Sequence, residues 1–377
     1  MRLTRPGLPR PFTPILLALM AGLAAACVAP AEAPAIHSPV IPGTIRDSSG
    51  QVQDRLWRIA DHADRLRDTS CPPGARHLDP LPVELTASPV SLGEAGQITR
   101  RIPQTVSVTG AWELSSSHPN FGGLSGLALV PEAEGGGLLA VTDAGAFVWI
   151  DLEDGAPASA RLAYMQGLDG SQYTGKSEGD AEGLVYQDGL ALVSFERDFR
   201  IEAFALAACG SNARGAPVAS LPDRYGNRSV DENQGPEALF LTPDGALGFG
   251  YEGMLGTSPL GRVLADGTAE WTGETAPAPM AHGLVGMEQV AMPDGGVRTL
   301  QLFRAWDPLQ GNRIRLVWGE GEDESLSLAR PLLVDNFEGI AAEPAGTGLR
   351  VWIVSDDNFS ARQRTLLYVF DITLSGG

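Results

Sequence analysis

Two apolar runs, Leu184-Val185-Tyr186 and Leu190-Ala191-Leu192-Val193, flank Asp188-Gly189. An acid brackets them on each side, Glu182 before the first run and Glu196 after the second. An Asp-Gly pair between apolar runs predicts a hairpin, because Gly takes the positive φ of a tight turn. In an antiparallel hairpin Glu182 and Glu196 then lie at the same end, away from the turn.

The phrase returns along the chain. Gly235-Pro236-Glu237-Ala238-Leu239 leads through Leu247 and Phe249 to Glu252. Asn336-Phe337-Glu338-Gly339-Ile340 leads through Val351-Trp352-Ile353-Val354 to Asp356 and Asp357. Gly123-Leu124-Ser125-Gly126-Leu127 leads through Leu138-Leu139-Ala140-Val141 to Asp143. A weaker copy starts at Glu288 and reaches Asp294-Gly295. The anchors Ser125, Glu182, Glu237, Glu288 and Glu338 stand 57, 55, 51 and 50 residues apart. Short strands repeated with such a period mark propeller blades, each a four-stranded sheet.

Strands are also expected at Val83-Glu84-Leu85, from Ile98 to Val108, at Trp112-Glu113-Leu114, and from Leu366 to Ile372 at the far end. A closed ring leaves no open sheet edge. A strand from about residues 82–110 is therefore expected to join the C-terminal strands in a composite blade. Five anchors plus that blade predict an all-β, six-bladed β-propeller with an N-terminal helix added. The helix is expected over about 50–67, where Val52, Leu56, Ile59, Ala63 and Leu66 follow helical spacing between Gly50 and Pro72-Pro73. Its expected place is the outside of the propeller; a partner-binding helix is the alternative.

Ahead of it, Arg2, Arg5 and Arg10 precede the apolar run Pro14 to Leu23, which is too short to span a bilayer and ends in small residues. Residues 1–27 read as an export signal, 28–80 as linker plus helix, and 81–377 as the propeller. Leu23-Ala24-Ala25-Ala26-Cys27 is similar to a lipoprotein signal, with lipidation of Cys27 weighed against plain cleavage. The expected location is periplasmic or secreted, with membrane attachment only through a lipid on Cys27. In an oxidising compartment Cys71 and Cys209 can pair and pin the N-terminal segment to the second blade.

The net charge of −19 over 377 residues repels nucleic acid and anionic membrane surfaces and favours cations, with solubility alone as the competing explanation of the charge. A monomer acting on a small anionic or ester substrate is expected. In a propeller, acids at one end of the inner strands converge on the axis. The candidate metal ligands are Asp143, Glu182, Glu196, Glu237, Glu252, Glu338 and Asp356. Glu182, Glu237 and Glu338, with Arg197 and Arg304, are the candidate catalytic groups. Lys176 and Arg200 are further cations nearby in sequence. Carboxylates without thiol or imidazole suit calcium better than zinc. The competing reading gives these acids to backbone N–H groups at blade corners. No nucleophile stands out. Ser125 lies in Gly-Leu-Ser-Gly, not Gly-x-Ser-x-Gly, and His118 and His282 lack recognisable partner spacing.

Phe121-Gly122-Gly123-Leu124-Ser125-Gly126-Leu127, Asp180-Ala181-Glu182-Gly183-Leu184, Ser194-Phe195-Glu196-Arg197, Gly235-Pro236-Glu237-Ala238-Leu239 and Asn336-Phe337-Glu338-Gly339-Ile340 together resemble the bacterial "esterase-like activity of phytase" family, also called phytase-like domain proteins. The resemblance covers roughly residues 80–374. It implies an exported propeller with phosphoester or ester hydrolase activity. Propeller phytases proper hold calcium ions with clustered acids, an analogy of fold. The chain departs from the pattern at Phe303, where an acid is expected before Arg304, at Ala144 in Asp143-Ala144-Gly145, and in the added helix. The expected function is thus an exported, calcium-binding hydrolase of phosphate or other esters. The alternatives are a non-catalytic envelope propeller that binds a ligand or protein partner, and a calcium-dependent lactonase.

Overall fold

The computed structural model describes residues 56–253, 256–279, 281–319 and 324–374. The export signal, Cys27, the linker and Val52 lie outside them. The described residues form a propeller of five blades, not six. Each blade is an antiparallel meander whose first strand is innermost.

Blade 1 runs through Leu124–Leu129, Leu138–Thr142, Ala146–Glu153 and Ala156–Tyr164, with Leu81–Val83 added at its outer edge. Blade 2 runs through Ala181–Gln187, Leu190–Phe195, Arg200–Phe204 and Ala216–Ser220. Blade 3 runs through Ala238–Leu241, Leu247–Gly250, Ser258–Val263 and Ala269–Ala276. Blade 4 runs through Gly283–Ala291, Val297–Asp307, Gly311–Val317 and Ser325–Leu328. Blade 5 takes Asn336–Ala345, Gly348–Asp356 and Thr365–Thr373 from the C-terminus. Its next strand is Val106–Ser115, with Thr86–Pro89 outside it. The inner strands pack against one another in order, and the fifth packs against the first.

The missing sixth blade has a simple cause. The Glu338 repeat has only three strands of its own and is itself the composite blade. Thr365–Thr373 pairs with Val106–Ser115 from Thr365↔Leu114 to Ile372↔Val106. Counting the anchor and the composite blade separately counts one sheet twice. The expected strand Ile98 to Val108 also differs. Glu94 and Gln97 form a reciprocal capping box, so Ala95–Arg101 is helical and the strand begins at Val106.

The N-terminal helix spans Ile59–Ser70, later than its apolar spacing suggested. Leu56 and Arg58 instead bridge to Leu264 and Ala246 in extended backbone. Trp57 donates its N–H to the Val263 carbonyl at 2.9 Å and accepts from Leu247 N–H at 3.1 Å. Those rungs extend blade 3. Trp57, Ile59, Ala63 and Leu66 are buried in a core shared with Leu190, Ile201 and Val218 of blade 2 and Leu247 and Phe249 of blade 3. The helix thus covers the outer seam of two blades. The Cys71–Cys209 disulfide, with Cα atoms 5.7 Å apart, ties its end to blade 2.

The hairpin at Asp188-Gly189 has the expected turn. Asp188 and Gly189 have φ of 52° and 74°, and Gln187 pairs with Leu190 across them. At that end the channel is lined by Ala128, Leu129, Val185, Leu241 and Ala341 around a cavity of about 230 Å³. Glu288 is the carboxylate there, and loss of water pushes its pKa up from 4.5 to about 8.

Two outcomes are expected. The disulfide closes a loop of 138 residues, so Cys71→Ser with Cys209→Ser should cost roughly 2–4 kcal/mol in denaturant unfolding. Glu288 binds its proton more tightly folded than unfolded, so wild-type stability falls as pH rises from the unfolded value through about 8. Glu288→Gln should therefore be the more stable protein at about pH 9, with the gap closing toward about pH 4, in paired thermal melts.

Candidate functional site

The rim opposite Glu288 is built by one local device used repeatedly. In four blades the pairing of the first two strands slips by an extra residue near its start. The slips lie between Leu124 and Gly126, Ala181 and Leu184, Leu284 and Gly286, and Phe337 and Gly339. Such a bulge re-aims the side chain it carries. It carries Ser125, Glu182, Val285 and Glu338 in turn. In blade 3 Glu237 directly precedes the strand Ala238–Leu241. The repeat member in blade 4 is therefore Val285, not Glu288, and the last two spacings become 48 and 53 residues. Glu288 sits one turn of pleat further on, at the other mouth.

The Gly after each bulge has a steric cause. A Cβ on Gly183 would lie 2.5 Å from Ser194 Oγ and 2.7 Å from Leu239 Cβ of the next blade. Only a residue without Cβ lets adjacent inner strands approach so closely.

A second layer comes from the ends of the second strands. Asp143 N–H donates to Gly123 O at 3.0 Å, Glu196 N–H to Asp180 O at 2.9 Å, and Glu252 N–H to Gly235 O at 3.3 Å. Asp356 pairs with Asn336. In blade 4 the same rung is Arg304 opposite Gly283. Arg304 itself stands where the other blades carry an acid. Phe303 is a fully buried core residue, so it is not the site of the lost acid.

These layers line a cavity of about 660 Å³. Asp143, Glu182, Glu196, Glu237, Glu252, Arg304, Glu338 and Asp356 all reach it, as do Lys176 and Asn336. Asp180, Glu182 and Glu196 each bring one oxygen within 4.8 Å of the other two, and all three are buried. Three side-chain cations offset part of the charge. Lys176 Nζ is 2.6 Å from Asp143 Oδ2 and 3.7 Å from Asp180 Oδ1. Arg197 Nε donates to Asp180 Oδ2 at 2.7 Å. Arg304 bridges Glu252 at 2.8 Å and Glu338 at 3.3 Å, and donates to Asn336 Oδ1 at 2.6 Å. Asn336 Nδ2 in turn donates to Glu338 Oε1 at 2.9 Å.

What remains is uncompensated. Neither Glu182 nor Glu237 takes a hydrogen bond or ion pair from any described residue, though each is less than a tenth exposed. Oδ1 of Asp143 and Oδ1 of Asp180 are buried without a hydrogen bond. Burial first, and then the neighbouring carboxylates, push Glu182 and Glu237 well above the usual range. Burial likewise raises Glu196 to about 7 and Asp356 to about 8. Burial would lower the Lys176 ammonium, but its pairing with Asp143 outweighs that and the net shift is upward.

Some acids do serve blade corners. Glu196 Oε1 accepts from Gly235 N–H at 3.3 Å. Asp357 accepts from Gly123 N–H at 2.9 Å and Phe359 N–H at 3.0 Å, so it is a turn residue. Arg200 lies away from the cavity, 3.8 Å over the Phe195 ring and 3.0 Å from Glu202. Arg197 reaches the site through Asp180 only. Asp180 and Asn336 join the carboxylate layers although neither is among the sequence-based candidates. Their signal was present, since each opens one of the repeated phrases.

The set fits a hard cation. Every candidate donor at the cavity is a carboxylate or amide oxygen, and the lining contains no imidazole or thiol. Buried carboxylates this crowded are costly when ionised unless a positive charge joins them.

No curated protein sequence matches the chain. Among solved structures it is similar to a protein of unknown function from Dyadobacter fermentans, at 12% identity, covering 80% of this chain and 100% of that one, with a TM-score of 0.36. It is also similar to the PQQ-bound aldose sugar dehydrogenase of Streptomyces coelicolor, at 14% identity, covering 71% and 99%, with a TM-score of 0.40. A Thermus thermophilus protein named as an oxidoreductase of the glucose dehydrogenase type shares 12% identity over 70% and 99%, with a TM-score of 0.34. Likeness at these levels carries no argument about chemistry. The sequence profile of the phytase-like family, described as esterase-like activity of phytase, matches residues 119–359. That span contains the inner strands of all five blades and both carboxylate layers, and the chain belongs to this phytase-like family.

Proposed function

We propose that the chain is an exported hydrolase of phosphate esters or other esters that works with a calcium ion at the carboxylate-lined mouth. One observation carries the reading: three buried carboxylates, Asp180, Glu182 and Glu196, converge within 4.8 Å while oxygens of Asp143 and Asp180 lack hydrogen bonds. The family's description supports the reaction class. The disulfide supports export to an oxidising compartment.

Asp180, Glu182 and Glu196 would hold the ion, with Glu237 and Asp356 in reach of the same cavity. A bound ion supplies Lewis-acid polarisation of the ester oxygen and a water acidic enough to attack near neutral pH. The chain does the rest. Lys176 is half exposed and faces the cavity, so its ammonium can meet an anionic ester oxygen. Arg197 spends Nε on Asp180, and no described residue accepts from its terminal nitrogens. Glu237 takes no hydrogen bond or ion pair from any described residue; with the ion bound, the added positive charge would favour its carboxylate form, which could then take the proton from the attacking water. Arg304 is held between Glu252 and Glu338 and keeps those two carboxylates in place.

Hydrolysis of p-nitrophenyl phosphate and p-nitrophenyl acetate should require calcium and stop with chelator. Glu182→Gln should lose at least about tenfold in activity through weaker ion binding, and Glu237→Gln about a hundredfold in kcat. Turnover untouched by chelator would refute the reading. Turnover of lactones alone would select a lactonase, and a chelator-induced fall in Tm without turnover a non-catalytic propeller. Separately, Arg304→Met strands two carboxylates. It should cost on the order of 3 kcal/mol, the low end for a broken buried pair because about a fifth of each of Arg304 and Glu252 still meets water. Adding Glu338→Gln should recover part of that loss in chemical denaturation.

A further inference from the structure

Lys176 enters the mouth from the connection between blades 1 and 2, on a short helical turn Lys176–Gly179. Its ammonium meets Asp143 Oδ2 at 2.6 Å and Asp180 Oδ1 at 3.7 Å. Both aspartates are 2% exposed. Among the described residues no other cation lies within ion-pair distance of Asp143. A single ammonium does not satisfy what surrounds it. Oδ1 of Asp143 and Oδ1 of Asp180 are still without hydrogen bonds. Buried carboxylate oxygens are rarely left this way unless something positive completes them.

The geometry of the ring sets this seam beside the trio already described. Asp180 belongs to both groups. One of its oxygens is held by Arg197, and the other faces Lys176. An aspartate shared between adjacent sites is what a two-cation centre needs, with the second position between Asp143 and Asp180. In this chain that second position is filled by a lysine. Blade 4 shows the same substitution from the other side, since Arg304 occupies an acid's place and neutralises Glu252 and Glu338.

We propose that Lys176 is a tethered counter-ion filling a second divalent-cation position between Asp143 and Asp180, so that the chain takes one inorganic cation where its carboxylates could hold two. The inference rests on the proposed cation at Asp180, Glu182 and Glu196, but concerns a different position and can be tested apart from it. An ammonium is smaller in charge than calcium and has three donors for oxygen acceptors. It satisfies Asp143 partly, which accounts for the leftover oxygens. Its half-exposed stem also lets it withdraw, which a fixed buried cation could not do.

The test is calcium stoichiometry on the purified, disulfide-bonded chain, by isothermal titration and by metal analysis after dialysis. Wild type should bind one ion per chain at this mouth. Lys176→Met keeps the stem and removes the charge; it should bind one ion more than wild type. Its Tm should fall in chelator and rise with calcium by more than wild type's does. Lys176→Arg should keep the wild-type count. Asp143→Asn combined with Lys176→Met removes both partners and should return to the wild-type count. If wild type binds none and Lys176→Met binds one, the trio reading fails and the tethered counter-ion stands. If Lys176→Met binds the same number as wild type while retaining a cooperative melt, the counter-ion proposal is overturned. Should Lys176→Met not fold alone, refolding in calcium supports the proposal, and failure to refold there opposes it.

Discussion

Closing five sheets into a ring shelters their inner edges around a channel but brings the first residues of five strands to one axis. Charges placed there cannot avoid one another. Two carboxylates about 4 Å apart repel by roughly 4 kcal/mol at the effective dielectric of a half-buried site. Asp180, Glu182 and Glu196 stand within such distances, and Glu237, Glu338 and Asp356 share the same cavity. The fold tolerates this by three means in one place. Side-chain cations sit at two seams, Lys176 between blades 1 and 2 and Arg304 between blades 3 and 5. Asn336 links Glu338 to Arg304 by hydrogen bonds. The carboxylates left over are driven toward their neutral forms.

The channel is accordingly polar at one end and apolar at the other. The bulge that turns Glu182 and Glu338 toward the rim shifts the remaining pleat of each inner strand by one position. Past the bulge Ala128, Val185 and Ala341 line the other mouth, joined by Leu241 of blade 3, whose pairing has no slip. The Gly at each bulge lets adjacent inner strands approach more closely than a Cβ would allow. Blade 4 departs from both rules. Its bulge carries Val285 and its rim rung carries Arg304, while the one acid of its inner strand, Glu288, faces the other end. The rim is therefore uneven, with Arg304 at blade 4 and the tight trio of Asp180, Glu182 and Glu196 at blade 2.

Much of the fold could be read from the chain because hairpin chemistry is local. Asp188-Gly189 declares its turn, and the phrase around it repeats. Composite closure was also legible, since an apolar C-terminal strand needs a partner. The count of blades was not, because a blade shared by both chain ends leaves a full-looking anchor at Glu338 with one strand missing. Ala95–Arg101 was hidden for a different reason: Ile98 suits a strand, and only the Glu94–Gln97 box shows the turn of helix. At the site, residue types were readable but register was not. A spacing match put Glu288 in line with Glu182, whereas a single-residue bulge makes Val285 the equivalent. One residue reverses which face a strand side chain meets, so periodicity alone cannot assign it.

Register also decides what the mouth can accept. Glu182 and Glu237 line the cavity and take no hydrogen bond or ion pair from any described residue, so an anionic ester arriving alone would meet their uncompensated charge before it reached the cations of the wall, Lys176, Arg304, Arg330 and Arg362. On the proposed reading, the inorganic cation must therefore bind before the anion does. The uneven rim gives that cation one favoured place, against blade 2, because Arg304 repels it from blade 4. The substrate's charged end would then lie between that position and Lys176, where the two positive charges are closest. The loss of an acid in blade 4 thus reads as a change that orients the site, since it removes a competing cation position opposite the one the carboxylate trio provides.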